Sequence, residues 1–145
     1  MRTLLVNALT RKAIAEPFAF PCLSMNEMYA EKLRAGLSWR EPAIRDFYDI
    51  DFAVRYLGLD LLSLEMIDLV RRKLSIPGNN QPDVSDDRIE KLKAQLESEL
   101  KPVLRDRDFV RFDLREVVGR VGKVADLIQI GIQNDRGCNH DGFRE

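Results

Sequence analysis

The chain has 145 residues, of which 45% are hydrophobic and 32% are charged, the balance of an ordinary soluble globular protein. Its 23 basic and 24 acidic residues nearly cancel, so the net charge gives no strong signal for nucleic acid or for anionic lipid as a partner. Cys22 and Cys138 lie far apart and do not form a disulfide framework. No stretch approaches the roughly 20 apolar residues of a membrane span. We therefore expect a cytoplasmic protein without a membrane segment.

The N-terminal region has the pattern of extended structure. Residues 3–9 read TLLVNAL, a short run rich in branched apolar side chains that predicts a β-strand. Pro17 and Pro21 then bracket two phenylalanines and suit an extended edge segment, because proline is excluded from helix interiors. An uncovered strand edge can pair with another copy of the chain, which makes a homo-oligomer an expected assembly.

A well-marked helix follows this region. In LSMNEM, Ser24 and Glu27 have the spacing of a capping box, in which each residue satisfies the other's backbone amide. The helix is predicted to run from about Met25 to Ser38.

Hydrophobic residues at helical spacing predict four further helices. Their expected boundaries are Pro42 to Gly58 for the second, Asp60 or Ser63 for the start of the third, Pro102 for the end of the fourth, and Asp113 with Glu116 for the start of the last. The predicted fold class is thus mainly α (α+β), with one or two short N-terminal strands followed by about five helices in a bundle. Residues 1–133 are expected to form a single domain and residues 134–145 a frayed tail.

One lysine stands out within the first predicted helix. On a helical wheel, Lys32 lies among apolar or small residues, namely Met25, Met28, Tyr29, Ala35, Gly36 and Trp39. Burying an ammonium without a partner is costly. Either the lysine reaches past its neighbours to water, or it is held by them and aimed at an anion such as a phosphate, which a compact point charge suits.

An acidic run follows in the second predicted helix. Asp46 and Asp49 are three residues apart and share a helix face, and Arg45 is four residues from Asp49. These residues form either a solvated face with weak salt bridges or a carboxylate pair able to ligate Mg²⁺ or act as a base. Asp49 and Asp51 form D-x-D, but a helix turns them apart by about 200°, so we reject D-x-D as a metal site. The tail CNHDG lacks the ligand set of a zinc site, and no metal site is expected in this chain.

The segment LSMNEMYAEKLRAGLSWREPAIRDFYDIDFAV resembles the block LSLEE-x-x-AEKL-x-AL…R…RD-x-YDL of the AbiEii/AbiGii-like nucleotidyltransferase family, toxin components of bacterial type IV toxin–antitoxin systems. The matching positions are Leu23, Ser24, Glu27, Ala30, Glu31, Lys32, Leu33, Ala35, Arg45, Asp46, Tyr48 and Asp49. The combination of AEKLRA and RDFYD at this separation carries the resemblance. It implies a two-lobed enzyme, in which an N-terminal lobe holds Mg²⁺ through Gly-Ser and D-x-D and a helical C-terminal lobe carries the lysine and RD-x-x-D.

The resemblance also implies roles for four residues and two cofactors. Lys32 would contact the phosphates of a nucleoside triphosphate (NTP), Asp46 or Asp49 would orient or deprotonate an acceptor hydroxyl, and Arg45 would hold the aspartates or touch phosphate. Mg²⁺ and NTP are implied by the resemblance only, as is an RNA acceptor such as tRNA.

The chain departs from the family pattern at one decisive point, because it contains no adjacent Gly-Ser followed by a strand D-x-D. Phosphoryl transfer depends on such metal-holding carboxylates. We therefore expect a truncated C-terminal lobe that is inactive alone, with the missing N-terminal lobe or a cognate antitoxin as partner. The alternative is a non-catalytic helical module that binds another protein.

Overall fold

The computed structural model describes residues 7–12, 14 and 21–137, with 130–137 described as backbone only. The helices are α1 (Met25–Ser38), α2 (Ile44–Tyr56), α3 (Leu64–Leu74), α4 (Asp86–Gln95), α5 (Asp106–Arg111) and α6 (Leu114–Gly137). A π-helical turn at Leu96–Leu100 and a 3-10 turn at Lys101–Val103 continue α4. None of the described helices has the length and apolar character needed to cross a membrane.

The predicted α+β class is wrong, because every regular element in the described part of the chain is helical. Where the predicted strand ends, residues 8–10 form a turn. The Asn7 side chain stabilises that turn, since its Oδ1 accepts hydrogen bonds from the backbone amides of Leu9 and Thr10, each 2.9 Å long. Residues 3–6 and the phenylalanines at 18 and 20 lie outside the described residues. The expected homo-oligomer, which depends on that strand edge, stays a prediction.

The predicted helix starts are confirmed where cap residues marked them. Glu27 N donates to Ser24 Oγ over 3.2 Å and Ser24 N donates to Glu27 Oε2 over 3.1 Å, which completes the capping box of α1. Ser63, rather than Asp60, caps α3. Short-range pairings of this kind are read directly from the sequence.

Other boundaries differ from the predictions. Helix α2 begins at Ile44 rather than at Pro42, because the Gln95 side chain accepts a bond from Ile44 N (2.8 Å) and donates to Pro42 O (2.9 Å). The short helix α5 was not predicted. Helix α6 continues to Gly137. Residues 138–145 lie outside the described part, and the division at residue 133 stays a prediction.

The core forms where α1, α2, α3 and α6 meet. Helix α1 packs against α2 and α3, and α6 packs against all three. Fully buried side chains come from each of these helices and from the α4 region: Leu33, Leu37, Ile44, Ile50, Met66, Val70, Leu92, Leu100, Val117, Val121, Val124 and Ile128. Gly36 of α1 faces α2, and a Cβ there would make an ordinary contact of 3.4 Å with the Phe47 ring.

A buried arginine ties α4 to the end of α1. Arg88 is only 6% exposed, and its guanidinium donates to Gly36 O over 2.6 and 2.9 Å and to Trp39 O over 2.7 Å. The last carbonyls of a helix have no partner within the helix. Arg88 supplies those partners from 52 residues away in the chain, so its role is invisible to local sequence patterns.

We expect Arg88→Leu to lower the free energy of unfolding by about 3 kcal/mol, because buried carbonyl oxygens lose charge-assisted hydrogen bonds. Arg88→Lys should recover part of the loss. Urea unfolding followed by circular dichroism measures both variants. Lys91→Leu is the control, since Lys91 is exposed on the same helix and, among the described residues, pairs with exposed Glu41. Equal losses at positions 88 and 91 would contradict the capping role.

Candidate functional site

Lys32 lies between two carboxylates where α1 faces α2. Its Nζ is 3.0 Å from Asp46 Oδ1 and 2.9 Å from Asp49 Oδ2. Asp46 and Asp49 are one helical turn apart, so both side chains reach the same ammonium. The side chains of Lys32 and Asp46 are 26% and 20% exposed, whereas that of Asp49 is 44% exposed. Asp49 is therefore the side of this cluster that meets solvent.

The surroundings of Lys32 are only partly apolar. Of its six predicted neighbours, Tyr29, Ala35 and Gly36 are buried, and Met25, Met28 and Trp39 are exposed. Two carboxylates of the same chain contact the ammonium, whose side chain is 26% exposed. The contact of Lys32 with a phosphate stays a prediction.

The charge state of Lys32 follows from these contacts. Burial lowers the pKa of Lys32, but the hydrogen bonds to Asp49 and Asp46 raise it by more, so the pKa lies above its ordinary value of 10.5. Lys32 is therefore a cation at neutral pH and a hydrogen-bond donor, not a base. Beside it, burial raises the pKa of the Tyr29 phenol, and the charge of Asp49 raises it further.

Arg45 is the predicted site residue that the structure does not bring into the cluster. It is exposed at the start of α2, and within the described part of the chain its guanidinium makes no hydrogen bond or ion pair. The structure thus brings together the side chains of Lys32, Asp46 and Asp49. Arg45 lies apart from them, and its guanidinium N–H donors are available to a ligand.

Asp51 turns away from this cluster toward α6. It is 4% exposed, and its Oδ1 lies 2.8 Å from Arg55 Nε and 3.5 Å from Arg120 Nη1. Arg55 also reaches Glu116, with Nη2 2.7 Å from Oε2. Asp49 and Asp51 therefore face different helices, as expected for D-x-D within a helix.

The donor set of the cluster does not suit Mg²⁺. Among the described residues, no group of three or more His, Cys, Asp or Glu side chains is arranged to hold a metal ion. Asp46 and Asp49 provide only two carboxylates, and Lys32 places a positive charge between them, which repels a divalent cation. The Mg²⁺ implied by the resemblance does not fit the described residues of this chain.

The fold and this cluster define a helical domain whose best-defined polar site is a lysine held by two aspartates. A family model described as "Nucleotidyl transferase AbiEii toxin, Type IV TA system" matches residues 2–118. The chain belongs to this nucleotidyltransferase toxin family, which confirms the resemblance seen in AEKLRA and RDFYD. No match was found among curated proteins or among solved structures.

If the carboxylates of Asp46 and Asp49 hold Lys32, replacement of Lys32 should lower the free energy of unfolding only while those carboxylates are charged. We expect Lys32→Met to lower the free energy of unfolding by about 1 kcal/mol, because two neighbouring carboxylates lose their shared cation at a partly solvated site. In an Asp46→Asn, Asp49→Asn background, the same replacement should cost much less. Chemical denaturation of all four proteins measures this coupling. An identical cost in both backgrounds would contradict it.

The pKa of Asp51 predicts how stability varies with pH. Burial raises this pKa above its ordinary value of 3.8 by more than Arg55 and Arg120 lower it. In the pH window between 3.8 and the raised value, the folded state binds a proton that the unfolded state releases, so Asp51 makes stability fall as pH rises. Asp51→Asn removes this titration.

Relative to wild type, the unfolding free energy of Asp51→Asn should therefore increase as pH rises through that window and level off above it. Denaturation between about pH 3.5 and 7 measures the difference. Asp68→Asn, an exposed position paired with Arg72, is the matched control. A difference that decreases with rising pH would refute the assignment.

Proposed function

We propose that this chain is the C-terminal helical lobe of a toxin-type nucleotidyltransferase, which transfers a nucleotide from an NTP to an RNA or protein hydroxyl, and that the chain alone is inactive. The observation that carries this proposal is the contact of Lys32 with both Asp46 and Asp49 inside the segment matched by the family model. Inactivity is proposed because the sequence contains no adjacent Gly-Ser.

The cluster is suited to handling a phosphate and a hydroxyl together. An ammonium has three N–H donors, and the two carboxylates occupy two of them, which leaves one for a phosphate oxygen. Asp49 is the more exposed carboxylate and would accept the proton of the acceptor hydroxyl. Lys32, which also bonds Asp46, would hold Asp49 oriented for that transfer.

Arg45 would bind phosphate rather than hold the aspartates. It precedes Asp46 by one residue, yet its guanidinium makes no ion pair in the described part of the chain. A free guanidinium at the edge of the cluster is available to an incoming phosphate, for which its planar fork is well suited.

The partners follow from the family. A type IV toxin–antitoxin system includes an antitoxin. We propose that the chain is bacterial and that its partner is the cognate antitoxin or a nucleotidyltransferase lobe carrying Gly-Ser and D-x-D. We propose a cytoplasmic location and retain the homo-oligomer as an expected assembly.

A non-catalytic helical module is the second candidate, because one observation favours it. The Lys32 ammonium has two partners within the chain, and in this candidate the cluster serves as a tie between α1 and α2. This candidate predicts that loss of Lys32 changes stability without changing any reaction.

The test requires the metal-holding lobe. The DNA upstream of this coding sequence should be read for an in-frame segment with Gly-Ser and D-x-D, and the longer protein assayed for incorporation of each labelled nucleotide into RNA. We expect Lys32→Ala and Asp49→Asn to reduce transfer at least about 100-fold while circular dichroism is unchanged. The chain of 145 residues alone should give no incorporation.

Matched controls are Lys91→Ala and Asp68→Asn, which remove exposed ion-pair partners elsewhere on the surface. They should leave transfer unchanged. Full transfer by the Lys32→Ala protein would refute the catalytic role and favour the module, and incorporation by this chain alone would refute the proposed inactivity.

A further inference from the structure

A cleft of about 370 Å³ lies between α2 and α5. Three rings follow each other along α2, with 6.5 Å between the centroids of Tyr48 and Phe52 and 4.9 Å between those of Phe52 and Tyr56. Phe112 meets Tyr48 edge to face at 5.7 Å and forms the back of the cleft. Phe52 and Tyr56 are 40% and 57% exposed, so these rings present open faces to solvent.

A second cleft, of about 460 Å³, adjoins the first. The two share Arg55, Arg111 and Phe112, and the second adds Lys93 and Arg115 to the lining. The guanidinium groups of Arg111 and Arg115 have no hydrogen-bond acceptor or ion-pair partner among the residues that the structure describes. One unpaired cation, Arg111, therefore lines the first cleft together with the exposed rings, and a second, Arg115, lines the adjoining cleft.

Each acidic group that lines the two clefts has a partner. Asp51 and Glu116 pair with Arg55 and Arg120. Asp108 Oδ1 lies 3.6 Å from Arg107 Nε, also in the first cleft. Asp113 Oδ1 accepts from the backbone amides of Arg115 (2.9 Å) and Glu116 (3.1 Å) at the start of α6. Since these carboxylates are occupied, the cations that remain free make the clefts attractive to an anion.

We propose that the two clefts form one binding track for single-stranded nucleic acid, with bases stacking on Phe52 and Tyr56 and phosphates bound by Arg111 and Arg115. Flat faces next to guanidinium groups match the alternation of base and phosphate along a strand. The track accepts unpaired bases, because the bases of a duplex stack on each other. This inference rests on the proposed function, for which it supplies the place where an acceptor strand is held.

The track lies on the same side of α2 as Asp49. Phe52 and Tyr56 lie three and seven residues after Asp49, which puts them on that side of the helix. Tyr48 lines the first cleft, and burial together with the charges of Asp108 and Asp49 raises the pKa of its phenol. A strand on the track would therefore end close to the carboxylate that we propose as base.

Fluorescence anisotropy of the full chain with a labelled single-stranded oligoadenylate RNA tests the track. We expect Tyr56→Leu to weaken binding about tenfold through loss of one stacking face. Arg111→Gln should weaken binding similarly and reduce the salt dependence by about one phosphate contact. Both side chains are exposed, so the variants should keep the circular dichroism spectrum of the wild type.

Trp39→Leu and Arg72→Gln are the matched controls, since they remove an exposed ring and an exposed guanidinium on other surfaces. They should change affinity by less than about twofold. Absence of binding to the wild-type chain, unchanged binding by both cleft variants, or equal losses in the controls would overturn the proposal. Full displacement of the RNA by an equal concentration of ATP would show a mononucleotide site and overturn the strand assignment.

The binding assay involves no transfer step, so the two proposals fail separately. If Tyr56→Leu loses RNA binding while Lys32→Ala leaves transfer unchanged in the longer protein, the track stands and the catalytic proposal falls. If transfer depends on Lys32 while both cleft variants bind RNA normally, the track falls and the proposed function stands.

Discussion

The position of α2 depends on one ammonium held between two carboxylates. Lys32 of α1 bonds Asp46 and Asp49, one turn apart on α2, and so fixes which face of α2 is turned toward α1. One turn further along α1, Gly36 faces the Phe47 ring of α2. Ionic and packing contacts thus both join α1 to α2. The side of α2 that carries Tyr48, Phe52 and Tyr56 is turned toward α5, where these rings line the cleft.

Helix α2 distributes its acidic residues between two neighbours. Asp46 and Asp49 meet a cation from α1, and Asp51 meets Arg120 of α6 together with Arg55 of its own helix. Partly buried ion pairs contribute little net stability, because desolvation offsets their attraction, but removal of one partner is costly. We infer that these pairs chiefly specify the orientation of α2, while the apolar core supplies the stability.

The structural features that the sequence predicts best are those determined by residues close together in the chain. Ser24 and Glu27 mark the start of α1, and the spacing of Asp46 and Asp49 predicts that they share a face. The strand prediction fails at its described end, where the side chain of Asn7 closes a turn. Arg88 was missed because its acceptors lie about fifty residues away, on α1. Contacts of that range depend on how helices pack, which periodicity alone does not reveal.

The same reasoning explains why a chain with balanced charge can still have an anion-binding surface. Net charge counts every side chain, but only those without a partner attract a ligand. In this chain most carboxylates near the clefts pair with arginines or cap the start of α6. Among the described residues, the guanidinium groups of Arg111 and Arg115 have no such partner. The aromatic residues come from α2 and the free cations from the segment around α5. Packing of α2 against α6 therefore creates a local anion-binding surface that the overall composition does not reveal.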